Sequence, residues 1–308
     1  MQKIKPTIVI FGCTGAVGSE VMRQLSECDC MVRGVLRAAD RAYPVILGNR
    51  FSNVSYVSAD LNSKAQLRAA CAGADSLFLL TATSPNQVDY EINIIDAARE
   101  SGVKRVVKLS SPIVNLPAKV EVSEWHRIID VYLSQNIPDF CCLRPHSFMQ
   151  NWSRNTFSIQ YFGKIFGSLG NEVRNYIDCR DVATVAVNKL LAIGIPSETS
   201  VILAGPQAFT NGEIASKLSL ITGKPIEYVD LKPEELFNHL IKKAKLPKWL
   251  ATHIIELDEL AVRVPEPQSD TITNMILRKP RIMDEYLQEY RHFFKRKSVW
   301  KLLFKTIY

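Results

Sequence analysis

The chain has 308 residues, 38 of them basic and 31 acidic for a formal net charge of +7, and a hydrophobic content of 47%. That composition can bury a substantial core and excludes a disordered chain as the default. The positive balance favours anionic ligands, but it is spread along the chain and not gathered into one basic arm, which argues against a nucleic-acid partner.

In chain order, Lys3 and Lys5 precede only a short apolar strand, and no uninterrupted apolar segment approaches membrane-spanning length. A cytoplasmic protein without a membrane partner is expected. The seven cysteines, at 13, 28, 30, 71, 141, 142 and 179, are odd in number, sit mostly in apolar segments and lack zinc-site spacing. They read as buried thiols of a reducing compartment, with no metal.

An apolar run from Thr7 to Phe11 leads into glycines at 12, 15 and 18 and then a helical pattern with Val17, Val21, Met22 and Leu25 on one face. Strand, glycine turn and helix in that order are the fingerprint of a dinucleotide site. Gly12 permits the tight exit from the strand, Gly15 lets backbone approach a ligand, and Gly18 lets the helix settle on the sheet, with the helix N-terminus facing a pyrophosphate.

Short buried strands follow at Met31–Leu36, Val54–Ser58, Ser76–Leu80, Arg105–Leu109 and Phe140–Arg144, interleaved with helices at Ser63–Ala70, Gln87–Ser101 and Val122–Gln135. This alternation predicts an α/β fold, a Rossmann-type doubly wound parallel sheet. Beyond Pro145 it weakens into an aromatic stretch from Phe148 to Phe166 and a hairpin pattern around Gly167–Gly170, then returns in YIDCRDVATVAVNKLL. A nucleotide-binding domain over 1–150 with 173–204 returning to it is expected, with 151–172 and 205–308 forming a smaller, mainly helical substrate lobe. The basic amphipathic end KRKSVWKLLFKTIY reads as a terminal helix docked on its own domain or on a neighbouring subunit, with a membrane surface as the alternative. A homodimer is among the assemblies this allows.

The residue that reads the adenosine ribose should lie about 20 residues past the glycine loop. Arg37 occupies that place. A guanidinium can pair with a 2′-phosphate, where a carboxylate would repel it, so Arg37 points to NADP(H), with Arg41 as a helper.

Through GCTGAVG, VRGVLR, SADL, FLLTAT, GVKRVVKLSS, EWHR, CLRPHSFMQN and YIDCRDVA, the chain resembles the NmrA-like branch of the atypical short-chain dehydrogenases over nearly its whole length. The resemblance implies that Gly12, Thr14, Gly15, Ala16 and Val17, with Gly18 behind them, line the pyrophosphate. It also implies Arg37 at the 2′-phosphate, Asp60 and Leu61 at the adenine edge, and Thr81, Ala82 and Thr83 at the centre of the cofactor. Taken alone, Asp60 would be an ordinary turn or cap residue.

Ordinary short-chain dehydrogenases use a tyrosine with a lysine four residues later; none of the ten tyrosines here has that lysine. Relatives resembling isoflavone reductase carry a lysine on the helix after the fifth strand, where Trp125 stands in this chain. His126 beside it is the candidate general acid. His146, Phe148, Met149 and Trp152 read either as lobe core or as the wall of a substrate pocket, and as a wall they favour a planar or aromatic small molecule. The expected function is an NADPH-dependent oxidoreductase acting on a quinone, enone or similar metabolite. The alternatives are a catalytically silent NADP(H) redox sensor and a non-redox isomerase or cyclase.

Overall fold

The computed structural model describes residues 5–37, 51–114, 116, 120–195, 198–264, 266 and 271–295. The chain forms two compact units, one of Met1–His146, Cys179–Ala204 and Asp270–Pro280, the other of Ser147–Asp178, Gly205–Ser269 and Arg281–Tyr308. Arg41 and the basic segment beyond Lys295 lie outside the described residues.

The first unit runs β1 (Thr7–Ile10), α1 (Ala16–Leu25), β2 (Met31–Leu36), β3 (Val54–Ser58), α2 (Lys64–Cys71), β4 (Ser76–Leu79), α3 (Gln87–Glu100), β5 (Arg105–Leu109), α4 (Glu121–Asn136) and β6 (Asp139–Pro145). The helix Cys179–Leu191, the strand Ser200–Leu203 and the short helix Thr273–Ile276 complete its described elements. From one edge to the other the seven-stranded sheet reads Ser200–Leu203, β6, β5, β4, β1, β2, β3, parallel throughout. The order reverses between β1 and β4, and in such sheets the ligand crevice lies outside the carboxyl ends at that reversal.

Both faces of the sheet are covered, which is why strands such as SLFL and RVVKL are buried at every position and show no period-2 alternation. On one face Leu67, Cys71, Ile94, Ile95, Ile129 and Leu133 from α2, α3 and α4 pack on Val9, Leu77, Leu79 and Val106. Each such side chain contributes about 1.5–3 kcal/mol by leaving water. On the other face α1 and the helix Cys179–Leu191 are stitched by Gln24, whose Nε2 donates to the Arg180 carbonyl at 3.0 Å and whose Oε1 accepts from Thr184 at 3.0 Å.

Arg105 is the largest fully buried side chain among the described residues, and each of its three guanidinium nitrogens makes a hydrogen bond at the amino end of β5. Its Nε meets Asp139 at 2.8 Å, Nη1 the Lys189 carbonyl at 2.9 Å and Nη2 the Ile195 carbonyl at 2.6 Å. The guanidinium therefore fastens β5 to β6 and to the end of the helix Cys179–Leu191.

In the second unit, Arg174–Ile177 is the middle strand of a three-stranded sheet, antiparallel to Gln207–Phe209 and parallel to Ser147–Phe148. Lys164–Gly167 pairs in parallel with Glu227–Asp230. The hairpin expected around Gly167–Gly170 is therefore absent: its two arms pair with distant strands. Long-range bonds hold the intervening turn, Ser168 Oγ donating to Asp258 at 2.9 Å and the Leu169 amide to the Tyr228 hydroxyl at 3.0 Å. The rest is chiefly helical, with Asn211–Thr222, Pro233–Lys242 and Lys248–Arg263 the longest pieces.

Arg174 meets Asp258 at 2.7 Å and Glu266 at 3.8 Å. Burial, helped by the Arg174 charge, pushes His253 down to about 4, and its Nδ1 is buried without a hydrogen-bond partner among the described residues.

Two stability predictions follow from these buried groups. Arg105→Ala strands Asp139 and two carbonyls, and chemical denaturation should show a loss of about 3 kcal/mol; an unchanged midpoint would refute the anchoring role. For His253, the folded state resists protonation that the unfolded chain accepts near pH 6.5. Stability should be full above that pH and fall by up to about 3 kcal/mol as pH drops towards 4. His253→Gln should flatten that decline in pH-dependent unfolding curves.

Candidate active site

The turn after β1 is built by backbone contact. Gly12 has φ +70°, and a Cβ there would sit 2.5 Å from the Leu80 carbonyl oxygen. A Cβ on Gly18 would fall 2.1 Å from the Gly12 carbonyl oxygen, so α1 can lie against the turn only with glycine at both positions. Beside Gly15 only the Gly12 oxygen is near, at 3.4 Å, which leaves that side of the loop open.

Gly15 caps α1 without a side-chain hydrogen bond, and the first turn has no acidic residue. Helix N-termini carry N–H groups without intrahelical partners and the positive end of the dipole. This one has neither a hydroxyl cap nor a carboxylate to satisfy them, which suits an anion. By contrast, the helix at Asn211 has a full capping box from Thr210 and Glu213.

The other expected cofactor residues follow strand ends in the same sheet. Arg37 is exposed immediately after β2, and Asp60 and Leu61 follow β3. Asp60 is used locally, its Oδ1 accepting from the Asn62 amide at 2.9 Å, the turn role its residue type allows. Thr14 lies in the loop, Ala16 and Val17 in the first turn of α1, and Ala82 and Thr83 are exposed past β4. Thr81 differs: it is buried and its hydroxyl donates inward to Glu91 at 2.9 Å.

That bond opens a charged cluster under the carboxyl ends of β4, β5 and β6. Lys108, on the same face of β5 as Val106, is fully buried. Its Nζ lies 3.0 Å from His126 Nδ1, 3.1 Å from Asp130 Oδ1, 3.3 Å from the Leu109 carbonyl and 3.7 Å from Glu91 Oε2. His126 and Asp130 share a face of α4 at i and i+4, as Gln87 and Glu91 do on α3. Gln87 Nε2 donates to Glu91 at 3.1 Å, Ser110 Oγ to Asp130 at 2.7 Å and Arg144 to Asp130 at 3.3 Å. Burial pushes the Glu91 carboxyl up, and the Lys108 ammonium is the strongest influence opposing it.

His146 and Phe148 are half-buried, the former in the first unit and the latter in the second. Met149 and Trp152 lie in the second unit's core cluster, with the Trp152 ring 5.9 Å from that of Tyr176. Tyr176 is enclosed there, and burial pushes its phenol well above the usual range. The cysteines are free thiols, all but Cys28 buried; burial raises Cys30 and Cys141 to about 11 and Cys71 to about 12, too high for a thiolate nucleophile at neutral pH. Among the described residues no group of His, Cys, Asp or Glu could hold a metal ion, and no helix is long and apolar enough to cross a membrane.

The sequence reading missed Lys108, Glu91, Asp130, Ser110 and Arg144. The available signal was charge at core positions: a lysine next to the end of RVVKL, and carboxylates in register with the apolar stripes of α3 and α4.

A glycine turn into an uncapped helix, at the reversal of a parallel sheet, defines a Rossmann-like α/β protein. The chain belongs to the NmrA-like family, whose model matches residues 4–287. It is 31% identical to an NAD(P)H azoreductase of Xenophilus azovorans over 255 residues, 82% of this chain and 87% of that one. It is 30% identical to a (4-alkanoyl-5-oxo-2,5-dihydrofuran-3-yl)methyl phosphate reductase of Streptomyces griseus over 241 residues, 78% and 82% of the two chains. An Escherichia coli NADPH-dependent quinone oxidoreductase, solved in complex with NADPH, shares the fold with a TM-score of 0.80 at 21% identity, over 92% of this chain and 99% of that one.

Gly18→Ala should force α1 off the turn. Calorimetry should record a loss of dinucleotide affinity alongside a destabilisation of about 1–3 kcal/mol; a variant equal to the parent in both would refute the close-approach argument.

Proposed function

We propose that the protein is an NADPH-dependent reductase that delivers hydride to a small conjugated or aromatic acceptor such as a quinone, an enone or an azo compound. The observation that carries this reading is the N-terminus of α1, left without a side-chain cap or an acidic residue behind a glycine turn that admits no Cβ. In this reading the amides of Ala16, Val17 and Gly18 hold the pyrophosphate, while the Gly15 amide closes the turn on the Gly12 carbonyl at 3.0 Å, and the Arg37 guanidinium just past the end of β2 pairs with the 2′-phosphate. The backbone of Thr81, Ala82 and Thr83 borders the centre of the cofactor. The bound dinucleotide supplies the hydride; the protein's part is to orient it, exclude water and deliver a proton.

Two relatives support the acceptor class by their names: one is an azoreductase, and the other reduces a substituted oxo-dihydrofuran.

Titration with NADPH, NADP⁺ and NADH by cofactor fluorescence, followed by a quinone, enone and azo panel read at the nicotinamide absorbance band, tests the reading. NADPH should bind more tightly than NADH and be consumed with at least one acceptor class. Arg37→Glu should weaken NADPH binding by at least about tenfold and leave NADH binding little changed. Binding without consumption would replace the reductase with a redox sensor or a non-redox catalyst, and unchanged NADPH affinity in Arg37→Glu would refute the 2′-phosphate assignment.

A further inference from the structure

We propose that Lys108 and His126 form a proton relay in which the buried ammonium stores the proton and the imidazole passes it to the reduced acceptor. The inference rests on the reductase reading above and assigns its proton source.

The geometry fixes the direction of the relay. An ammonium has only donors, so across the 3.0 Å contact Lys108 Nζ donates and His126 Nδ1 accepts, which puts the hydrogen of the neutral imidazole on Nε2. The charged and polar groups around Nζ come from several elements. Asp130 comes from α4 and Glu91 from α3, with Thr81 and Gln87 bonded to Glu91; Ser110 and Arg144 are bonded to Asp130. The Cys142 thiol, beside Asp130 on β6, is pushed up by burial and stays protonated. Arg144 shares Asp130 with Lys108, so the cluster already holds two cations, and a proton added to the imidazole would bring a third. The Lys108 side chain is fully buried, while His126 is partly exposed, so the imidazole is the member of the pair that solvent or a ligand can reach.

In the step itself, an acceptor that the bound dinucleotide had reduced would take the Nε2 hydrogen. That N–H bond breaks as the new bond to the acceptor forms. Nδ1 takes a proton from Nζ as the Lys108 N–H bond breaks, leaving a neutral amine and the opposite imidazole tautomer. A solvent proton on Nε2, with return of the Nδ1 hydrogen to Nζ, restores the start. A lysine can release its proton in this way; an arginine cannot.

The test combines tautomer, rescue and charge-conserving substitution. Nitrogen-15 NMR of the protein, with His126 assigned by comparison with His126→Ala, should show the Nε2–H tautomer, a readout independent of turnover. His126→Ala should bind NADPH as the parent does, lose about 10²–10⁴-fold in turnover and regain activity with added imidazole. Lys108→Arg keeps the charge but should lose turnover to a similar degree; should its larger head unfold the site, the tautomer and the imidazole rescue decide. Observation of the Nδ1–H tautomer, full activity in Lys108→Arg, or a His126→Ala variant that is unimpaired or not rescued would overturn the relay while leaving the reductase standing. A parent protein that binds NADPH but reduces no acceptor would overturn both.

Discussion

A lysine ammonium with no exposed surface, set near the carboxyl end of a central strand, constrains much of the first unit. Removing such a charge from water costs several kcal/mol even after relaxation, and it is tolerated only where opposite charge and hydrogen bonds surround it. Lys108 meets that condition by drawing Asp130 from α4 and Glu91 from α3. Those carboxylates must sit on the buried stripes of their helices, so the rotation of α3 and α4 about their axes is fixed by charge as well as by packing. Because Lys108 is one residue from the carboxyl end of β5, the compensation is concentrated where a parallel sheet binds its ligands.

The same strand carries a second buried cation on its other face. Arg105 stands at the amino end of β5, three residues from Lys108 and pointing to the opposite side of the pleat. Its three guanidinium nitrogens donate to Asp139, to the Lys189 carbonyl in the last turn of a helix and to the Ile195 carbonyl beyond that helix, and an arginine keeps its proton at accessible pH. Arg105 is thus an anchor and nothing more. Lys108 faces an imidazole in place of a carbonyl, and its charge is removable. The chemistry of the two residue types separates fastening from proton handling on a strand of five residues.

Parts of this were legible in the sequence. The strands at Met31–Leu36, Val54–Ser58 and Arg105–Leu109 were readable to the residue from their β-branched and apolar content between turn signals, though Val54–Ser58, expected to be buried, is an edge strand of the sheet and has no buried residue; the glycine loop announced its own geometry. The turn at Gly167–Gly170 misled because glycine marks a turn but does not say which strands it joins; pairing to Glu227–Asp230 and Gln207–Phe209 is decided by contacts tens of residues away. The segment Asp270–Pro280 returns to the first unit through bonds such as Thr271 Oγ1 with the Ile202 carbonyl and Arg278 with Asp181, which leave no periodic trace. Thr81 was legible as a strand-end residue, but the direction of its hydroxyl depends on Glu91, a partner on another element.

The charged cluster escaped notice for a related reason. Looking for a lysine four residues after a tyrosine, or on the helix that carries Trp125 and His126, assumes that the base and its charged partner share one element. Here the partner comes from the neighbouring strand. Alternation along β5 turns Lys108 to the same face as Val106, and i, i+4 spacing along α4 brings His126 and Asp130 to meet it, so two independent periodicities converge on one nitrogen. Local spacing within either element shows half of that arrangement. The absence of a tyrosine and lysine pair in the sequence therefore says that the pair is not arranged along one helix, and says nothing against a lysine reaching the chemistry from the sheet beneath it.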